Sequence, residues 1–336
     1  MRVASRSTIL LLATGLAAAL IAGCDAAAPA SSGQADAAGG ASAGRSPGGR
    51  SPGAAGPGAS ADAASVAPTT APRRRHAVGV RQLAVDRGDR SLPTTIWYPA
   101  GRAGRDATAA EGRFPVVLFS HGLGGEPADY RPLLSRFAQA GFVVAAPAYP
   151  RTRRGSDRDP VDVLNQPLDA SRVLDVVLSL DNRRGDGLRG RLDTGRVAAA
   201  GHSAGGMTTI GMFTLTRDDR LRAGVVMAGG TLGINLAYGG AATPLLFVHG
   251  QRDQVVPYDA GRRAFQAVPW PKAMLTLPEG DHGEGLGRGA DDDFEAVADF
   301  TVEFLRWGLY RDPSARDNLR RAAASGTAGP TLDDRL

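Results

Sequence analysis

A pentapeptide of the form Gly-x-Ser-x-Gly occupies residues 201–205, between an apolar run at 197–200 and a helical pattern at 203–215. A serine hydroxyl at pH 7 needs a neighbouring base, and donors for an oxyanion, before it can act as a nucleophile. A sharp strand-to-helix turn exposes such a serine, and flanking glycines relieve the crowding at that turn. The feature therefore predicts a nucleophilic Ser203 at the edge of a sheet.

A second match to the same pattern surrounds Ser42, at residues 40–44. It lies in low-complexity sequence, and no strand-like run precedes it. The chain contains 45 glycines, so a chance match is expected and context has to decide between the two. The context favours Ser203.

The first 23 residues resemble a secretory signal peptide. Arg2 and Arg6 give a basic start, and residues 9–22 form an apolar run that is short for a membrane span. Residues 21–24, Ile-Ala-Gly-Cys, are similar to the lipobox of bacterial lipoproteins, whose cysteine carries a lipid after cleavage. An ordinary signal peptide that happens to contain a cysteine is the alternative. The pattern predicts an extracytoplasmic protein that is anchored to the bacterial cell membrane through Cys24, or secreted.

Composition divides the rest of the chain into three parts. Residues 24–75 are rich in Ala, Gly, Ser and Pro with almost no large apolar residue, which predicts a disordered tether. Residues 76–312 have a length that suits a single α/β domain, and residues 313–336 form a polar tail. The net charge of +5 comes from arginines without interleaved aromatic residues, so no nucleic-acid partner is expected. We expect a monomer.

Short β-rich runs alternate with helical patterns through the domain. This alternation predicts a mostly parallel sheet with helices on both faces. Eight strands are predicted, at residues 78–85, 94–98, 115–120, 142–147, 196–201, 223–228, 244–249 and 273–277. Helices are predicted at residues 130–140, 168–180, 203–215, 258–267 and 293–310. Functional residues on such a sheet belong to loops at the carboxyl ends of the strands.

Ser203 requires a histidine base and a carboxylate that orients this base, and in such a fold the acid precedes the histidine along the chain. His282 lies on the loop after the last predicted strand, whereas the other histidines lie before the first strand, at strand ends or beside Ser203. Asp253 follows the preceding strand and can reach the His282 loop. Asp281 and Glu279 are alternatives, but they lie too close to His282 along the chain. The sequence predicts Ser203, Asp253 and His282 as catalytic residues.

An acyl-transfer serine also needs two backbone N–H groups for the oxyanion. Ala204, directly after the serine, supplies one, and Leu123 in the glycine-rich loop at 119–125 supplies the other. Such a loop could instead hold a phosphate. It has neither a Gly-x-Gly-x-x-Gly pattern nor a Lys-Ser/Thr pair, which favours the oxyanion role. No metal and no organic cofactor are expected.

These blocks, in this order and spacing, resemble the α/β-hydrolase superfamily over residues 78–310. The segments 95–99 (TIWYP), 119–125 (FSHGLGG) and 141–150 (GFVVAAPAYP) resemble plasma-type platelet-activating-factor acetylhydrolases and dienelactone-hydrolase-like esterases. Residues 164–169 are similar to cutinase-like polyester hydrolases, although the chain lacks their tryptophan after the sixth strand and their C-terminal disulfide. Dienelactone hydrolases use a cysteine where this chain has Ser203. The resemblance implies an α/β-hydrolase fold and a serine esterase for short or medium acyl groups.

The predicted sixth and seventh strands are joined without a long insertion, so no large lid domain is predicted. Residues 151–161 form at most a short flap. The open cleft that results suits soluble esters or a solid surface, and its candidate walls for an acyl group are Phe119, Tyr149, Met207 and Tyr238. Such residues occur as often in plain core. A polyester hydrolase, a serine peptidase and a non-catalytic binding lipoprotein of the same fold are the alternatives.

Overall fold

Many of the predicted strands are apolar at consecutive positions, as expected for strands that are covered on both faces. The computed structural model describes residues 70–231, 237–283, 292–324 and 330–336, and these runs form one ten-stranded sheet with a separate two-stranded ribbon. The described strands are β1 (Ala77–Leu83), β2 (Asp86–Arg87), β3 (Arg90–Ser91), β4 (Thr94–Ala100), β5 (Gly104–Arg105), β6 (Phe114–Ser120), β7 (Val143–Pro147), β8 (Leu192–His202), β9 (Leu221–Met227), β10 (Leu245–Gly250), β11 (Lys272–Leu277) and β12 (Thr331–Arg335).

Helices connect most of these strands. The described α-helices are α1 (Arg131–Gln139), α2 (Gln166–Ser179), α3 (Ala204–Gly211), α4 (Tyr258–Ala267), α5 (Asp292–Leu305) and α6 (Pro313–Ala324). Two 3-10 turns, Pro127–Tyr130 and Pro160–Leu164, precede α1 and α2, and a π-helical turn at Arg306–Tyr310 follows α5. Each of the five predicted helical segments overlaps one of the first five of these helices.

The sheet is mostly parallel, which confirms the predicted fold class. Its strand order is β12-β11-β10-β9-β8-β6-β7-β4-β1-β5. The six strands from β11 to β7 in this order run parallel, whereas β4 pairs antiparallel with β1 and β7, and β12 pairs antiparallel with β11. The eight predicted strands correspond to β1, β4 and β6 to β11. The two-residue β5 and the strand β12 extend the sheet at its two edges.

Side chains that alternate along the strands enter two apolar cores, one on each face of the sheet. In β6, Val117 and Phe119 belong to one core, and Val116 and Leu118 belong to the other. Helices α1 and α5 cover the first core, and α2 and α4 cover the second. Because each face of the sheet is covered by helices, the loops at the strand ends are what remains available for a site.

Both ends of the described chain pack on the domain beyond the predicted boundaries of 76 and 312. Ala71 is buried, and Arg306 donates a hydrogen bond to the carbonyl oxygen of Pro72. At the other end, α6 packs on α5 and buries Ala315 and Leu319, while β12 pairs with β11. The predicted polar tail therefore contains an amphipathic helix and an edge strand, which its arginine-rich composition conceals.

Several of the predicted features lie outside the described residues. These are the signal peptide, Cys24, Ser42 and nearly all of the tether at 24–75. Within the described residues, no helix combines the length and the apolar character that a membrane span requires.

Candidate active site

Ser203 occupies a sharp turn between β8, which ends at His202, and α3, which begins at Ala204. Its backbone has a φ of 57° and a ψ of −121°, a conformation that side chains larger than glycine rarely adopt. The flanking glycines allow this turn to pack. A Cβ at position 201 would lie 2.2 Å from the carbonyl oxygen of Gly205, and a Cβ at position 205 would lie 2.0 Å from the carbonyl oxygen of Ser120.

The structure brings Ser203, His282 and Asp253 into one hydrogen-bonded chain. His282 Nε2 lies 2.9 Å from Ser203 Oγ, and His282 Nδ1 lies 2.8 Å from Asp253 Oδ2. The Asp253 side chain is fully buried, whereas that of His282 is 19% exposed. A carboxylate only accepts hydrogen bonds, so Nδ1 carries the proton and Nε2 is left to accept from the serine hydroxyl. This is the protonation state that a general base for Ser203 requires.

Asp253 is held as a carboxylate by several donors. Its Oδ1 accepts hydrogen bonds from the backbone N–H groups of Val255 and Val256, both at 2.8 Å, and His249 Nε2 lies 3.2 Å from its Oδ2. Burial raises the pKa of Asp253, but hydrogen bonds from His249, His282 and the Val256 N–H outweigh burial, and the pKa lies well below its usual range. The carboxylate is therefore charged at neutral pH and can stabilise a protonated His282.

The glycine-rich loop after β6 lies against the nucleophile. A Cβ at position 122 would lie 3.2 Å from Ser203 Cβ, so glycine permits this approach. A turn closed by the Gly125 N–H on the carbonyl oxygen of Gly122, at 2.9 Å, fixes the loop around Leu123. Among the described residues, the N–H groups of Leu123 and Ala204 donate to no protein acceptor. Both amides are available to an oxyanion.

The short segment at 151–161 packs on this loop. Gly124 N–H donates to the carbonyl oxygen of Thr152 at 2.6 Å, and Arg154 N–H donates to that of Gly125 at 3.2 Å. Arg154 also forms an ion pair with Asp129 at 2.7 Å. These bonds hold the predicted flap beside the candidate oxyanion site.

His202, beside the serine in sequence, links the oxyanion loop to the catalytic histidine. Its Nε2 lies 2.6 Å from the carbonyl oxygen of His282, so Nε2 carries a proton and Nδ1 accepts from the Tyr130 hydroxyl at 2.8 Å. That hydroxyl in turn accepts from the Gly122 N–H at 3.0 Å. Burial, followed by the nearby His282, lowers the pKa of His202 to about 3. Sequence reasoning assigned no role to this side chain, because its partners lie far apart along the chain.

The remaining histidines serve as supports or lie elsewhere. His121 donates from Nδ1 to the carbonyl oxygen of Gly122 at 2.8 Å and accepts from the Tyr149 N–H at 3.1 Å, and burial lowers its pKa to about 4. His249 donates to the carbonyl oxygen of Val256 at 2.9 Å. His76 packs on the Phe114 ring, at the start of the domain.

Three of the four predicted walls for an acyl group need correction. Phe119 and Tyr149 are fully buried in the two cores, and the Tyr149 hydroxyl hydrogen-bonds to Ser120, so neither ring faces a cleft. Tyr238 packs on Trp270, which precedes β11, and therefore lies at the amino-terminal edge of the sheet, opposite Ser203. Only Met207, one turn after the serine on α3, is partly exposed near the nucleophile.

Within the described residues, no group of three or more His, Cys, Asp or Glu side chains could hold a metal ion. A serine with a neutral imidazole, an ionised carboxylate and two available amides has the parts needed for acyl transfer.

Parts of the chain are similar to known proteins. The Chlorophyllase family profile matches residues 106–225. The platelet-activating factor acetylhydrolase of Bos taurus is 26% identical over 184 residues, which cover 42% of this chain and 41% of that enzyme. The cutinase of Thermobifida fusca is 27% identical over 192 residues, which cover 56% of each chain. This chain thus spans about two fifths of the acetylhydrolase and over half of the cutinase.

A solved structure extends the comparison to the whole fold. The ferulic acid esterase from Streptomyces cinnamoneus superposes with a TM-score of 0.61 at 21% sequence identity, covering 79% of this chain and 98% of the esterase. At 21% identity, this similarity is evidence about the fold alone. The fold is that of the α/β-hydrolases, as the resemblance implied.

Activation of Ser203 can be measured without assuming a substrate, because fluorophosphonates react with a serine that has a base beside it. We expect the wild-type chain to be labelled at Ser203 and the Ser203→Ala variant to remain unlabelled. His282→Ala should slow labelling by about 10⁴-fold or more, since the three groups act as a unit, and Asp253→Asn should slow it by a smaller factor. Intact-protein mass and peptide mapping give the rate and the site.

Ser42→Ala is the matched control, because Ser42 shares the sequence pattern and lies outside the domain. It should be labelled at the wild-type rate. Labelling of Ser203→Ala at an undiminished rate would contradict the assignment of the nucleophile.

His202→Gln tests the link between the oxyanion loop and His282. The variant loses one or both hydrogen bonds of the link, so we expect the labelling rate to fall about tenfold.

The same variant tests the lowered pKa of His202. The folded pKa of His202, about 3, lies below the unfolded value near 6.5, so the unfolded state binds more protons between these values. Wild-type stability should therefore fall by about 2 kcal/mol from pH 7 to pH 5 on account of this group, and the variant should lack this part of the loss. Urea unfolding at both pH values measures the difference.

His76→Gln is the control for the loss of a histidine away from the site. It should leave the labelling rate unchanged. An equal drop in labelling for both variants would show that His202 does not position His282. The same pH-dependent loss in wild type and His202→Gln would contradict the lowered pKa of His202.

Proposed function

We propose that the protein is a serine hydrolase that cleaves carboxylic esters of short to medium acyl chain length. The observation that carries this proposal is the chain of hydrogen bonds from Ser203 through His282 to Asp253, next to the amides of Leu123 and Ala204. Similarity to an acetylhydrolase and a cutinase in sequence, and to a ferulic acid esterase in fold, supports ester cleavage.

In the proposed first half-reaction, Ser203 Oγ attacks the ester carbonyl carbon while His282 Nε2 takes the hydroxyl proton. The carbonyl oxygen becomes an oxyanion that accepts hydrogen bonds from the N–H groups of Leu123 and Ala204. The tetrahedral intermediate collapses when the bond to the alcohol oxygen breaks and His282 gives its proton to that oxygen. Asp253 remains ionised and stabilises the imidazolium in between.

In the second half-reaction, water attacks the acyl-enzyme and His282 takes a proton from it. The second tetrahedral intermediate expels Ser203 Oγ, which regains a proton from His282, and the carboxylic acid leaves. Both half-reactions use the same base and the same amides. The proposed cycle therefore needs no group beyond these side chains and amides.

An apolar patch near the site favours a second candidate, a cutinase-like hydrolase of insoluble esters. Among the described residues, the large apolar side chains with exposures of 40–60% are Val161, Leu164, Leu168 and Leu215. They lie on the segment 160–168 and just after α3, which pack together: Pro167 and Leu215 both contact the position of Gly211. This contact is at the last residue of α3, about two helical turns from the nucleophile that precedes the helix, and an exposed apolar patch of this kind suits adsorption to a polymer surface.

The rivals of other classes have less support. A serine peptidase of this superfamily generally has an extra domain that selects peptides, and no repeat of that kind is present in the sequence. A binding lipoprotein without turnover would not need the bonds among Ser203, His282 and Asp253. Absence of fluorophosphonate labelling would favour the binding protein.

A series of p-nitrophenyl esters tests the acyl preference. The linker between β9 and β10 is too short for a lid domain, and each added methylene stabilises binding by about 0.8 kcal/mol only where it becomes buried. We expect kcat/KM to peak at roughly two to eight acyl carbons and then to fall. The rate should not jump above the solubility limit of the substrate, because no lid has to open.

Ser203→Ala is the blank for this series, and a polyester film is its second arm. Release of soluble acid from the film by wild type, but not by Ser203→Ala, would favour the cutinase-like candidate. A preference for long-chain triglycerides with a jump in rate at the oil–water interface would overturn both readings in favour of a lipase with a lid.

We further propose that the enzyme acts as a monomer outside the cytoplasm, anchored to the bacterial cell membrane by a lipid on Cys24, or secreted. The basic start, the apolar run and the lipobox-like residues 21–24 support this proposal. The low-complexity segment that follows gives the domain reach from the membrane.

Cys24→Ser in the natural host tests the anchor. Without the thiol no lipid can be attached, so we expect the protein to leave the membrane fraction while its ester hydrolysis stays unchanged. Fractionation and immunoblotting measure the shift, and Ser42→Ala serves as a control within the same segment. Membrane association that persists in Cys24→Ser would contradict lipid anchoring.

A further inference from the structure

A cavity of about 530 Å³ opens at the edge of the sheet opposite Ser203. It lies at the amino-terminal ends of β9 and β10 and is closed on one side by the turn that follows α5. This volume falls within the range of small-molecule sites. The lining residues used below are Arg196, Arg222, Arg311, Arg316, Trp307 and Leu309.

Four arginines line this cavity, and none of its lining residues is acidic. Arg196 forms an ion pair with Asp193. In the part of the chain that the structure describes, Arg222 and Arg311 form no ion pair with a carboxylate. The charges of these two arginines at one concave surface are therefore not neutralised by an acidic side chain.

Arg222 is already oriented by backbone carbonyl groups. Its Nη1 donates to the carbonyl oxygens of Asp219 and Leu221, at 2.7 and 3.2 Å. A peptide carbonyl oxygen fixes a guanidinium without cancelling its charge, so the remaining N–H groups of Arg222 can still bind an anion. Arg316 Nη2 donates to a main-chain oxygen of Leu336 at 2.5 Å, and its buried Nε has no hydrogen-bond partner.

A second arginine-lined cavity shows the contrast. It measures about 310 Å³ and lies between α1, α5 and α6. Asp299 and Glu303 line it, and three of its five arginines are paired with acids: Arg136 with Asp299, Arg306 with Glu303, and Arg73 with Glu303 and Asp312. Arginine content therefore does not distinguish the 530 Å³ cavity, but the absence of acidic residues from its lining does.

The wall of the larger cavity is apolar as well as charged. Trp307 is half-buried beside Leu309 and Leu221, and Pro244 and Ala242 complete the apolar side. A simple inorganic anion would leave this surface uncovered. We propose that the cavity binds an organic anion, whose carboxylate pairs with Arg222 and Arg311 and whose apolar body lies against Trp307.

Binding of 2-naphthoate to the full chain tests this site, measured by calorimetry and by quenching of tryptophan fluorescence. We expect a Kd below 1 mM that weakens as salt is added, and about tenfold weaker binding in Arg222→Gln and in Arg311→Asn. The Arg311 side chain is exposed, and its backbone is left-handed, with a φ of 56°. Asparagine tolerates this backbone conformation, so the Arg311→Asn variant should fold. Trp307→Phe should remove most of the quenching.

Matched controls separate this site from other binding. Arg75→Gln removes one charge beside the second cavity and should leave the Kd unchanged. The neutral isostere 2-naphthalenemethanol should bind at least tenfold more weakly. Equal affinity for the alcohol or for inorganic phosphate, an unchanged Kd in Arg222→Gln and Arg311→Asn, or no binding at 10 mM would each overturn the proposal. The measurement uses no ester, so its outcome is independent of the proposed hydrolase activity.

Discussion

The site depends on the close approach of three backbone segments at the turn that holds Ser203. The absence of side chains at Gly201 and Gly205 lets the start of α3 lie against the end of β6, where any Cβ would collide with a carbonyl oxygen. The serine backbone itself is strained, at a cost of about 1–3 kcal/mol. The neighbouring strands hold it there: the Ser203 N–H donates to the carbonyl oxygen of Met227 at 2.9 Å, and β8 lies in the middle of the parallel strands. The strain that exposes the hydroxyl is therefore offset by the sheet.

The second requirement is a histidine fixed at two points, and two different strands provide them. Asp253, after β10, binds the ring of His282, while His202, at the end of β8, binds its backbone carbonyl group. The backbone of β10 also approaches the backbone of the His282 loop closely. A Cβ at position 250 would lie only 2.2 Å from the carbonyl oxygen of Gly280, so glycine is needed there. The ring is thereby oriented by its acid, and its loop is held by a residue beside the nucleophile.

The sequence allowed the sheet and the position of Ser203, Asp253 and His282 to be predicted, because parallel strands bring their carboxyl ends to one edge. The catalytic roles of these residues stay a prediction. Two features could not be read from local patterns. The first is the side of the sheet that Tyr149 faces, which depends on how the helices on that side pack. The second is the pairing of β12 with β11, which uses backbone groups and so leaves no apolar pattern in the polar sequence. The hydrogen bonds of His202 join segments about 80 residues apart, beyond the reach of any motif.

Four histidines lie at this edge, and their surroundings decide which one can serve as the base. His121 and His202 are buried, which lowers the pKa of each well below 6.5, so both stay neutral at pH 7. His249 is also buried and faces Asp253 and a carbonyl oxygen. The rings of His202 and His282 are only 4.8 Å apart, and two positive charges at this distance would repel by about 3 kcal/mol at an effective dielectric constant near 20. Keeping His202 neutral therefore favours the imidazolium that His282 must become when it takes the serine proton.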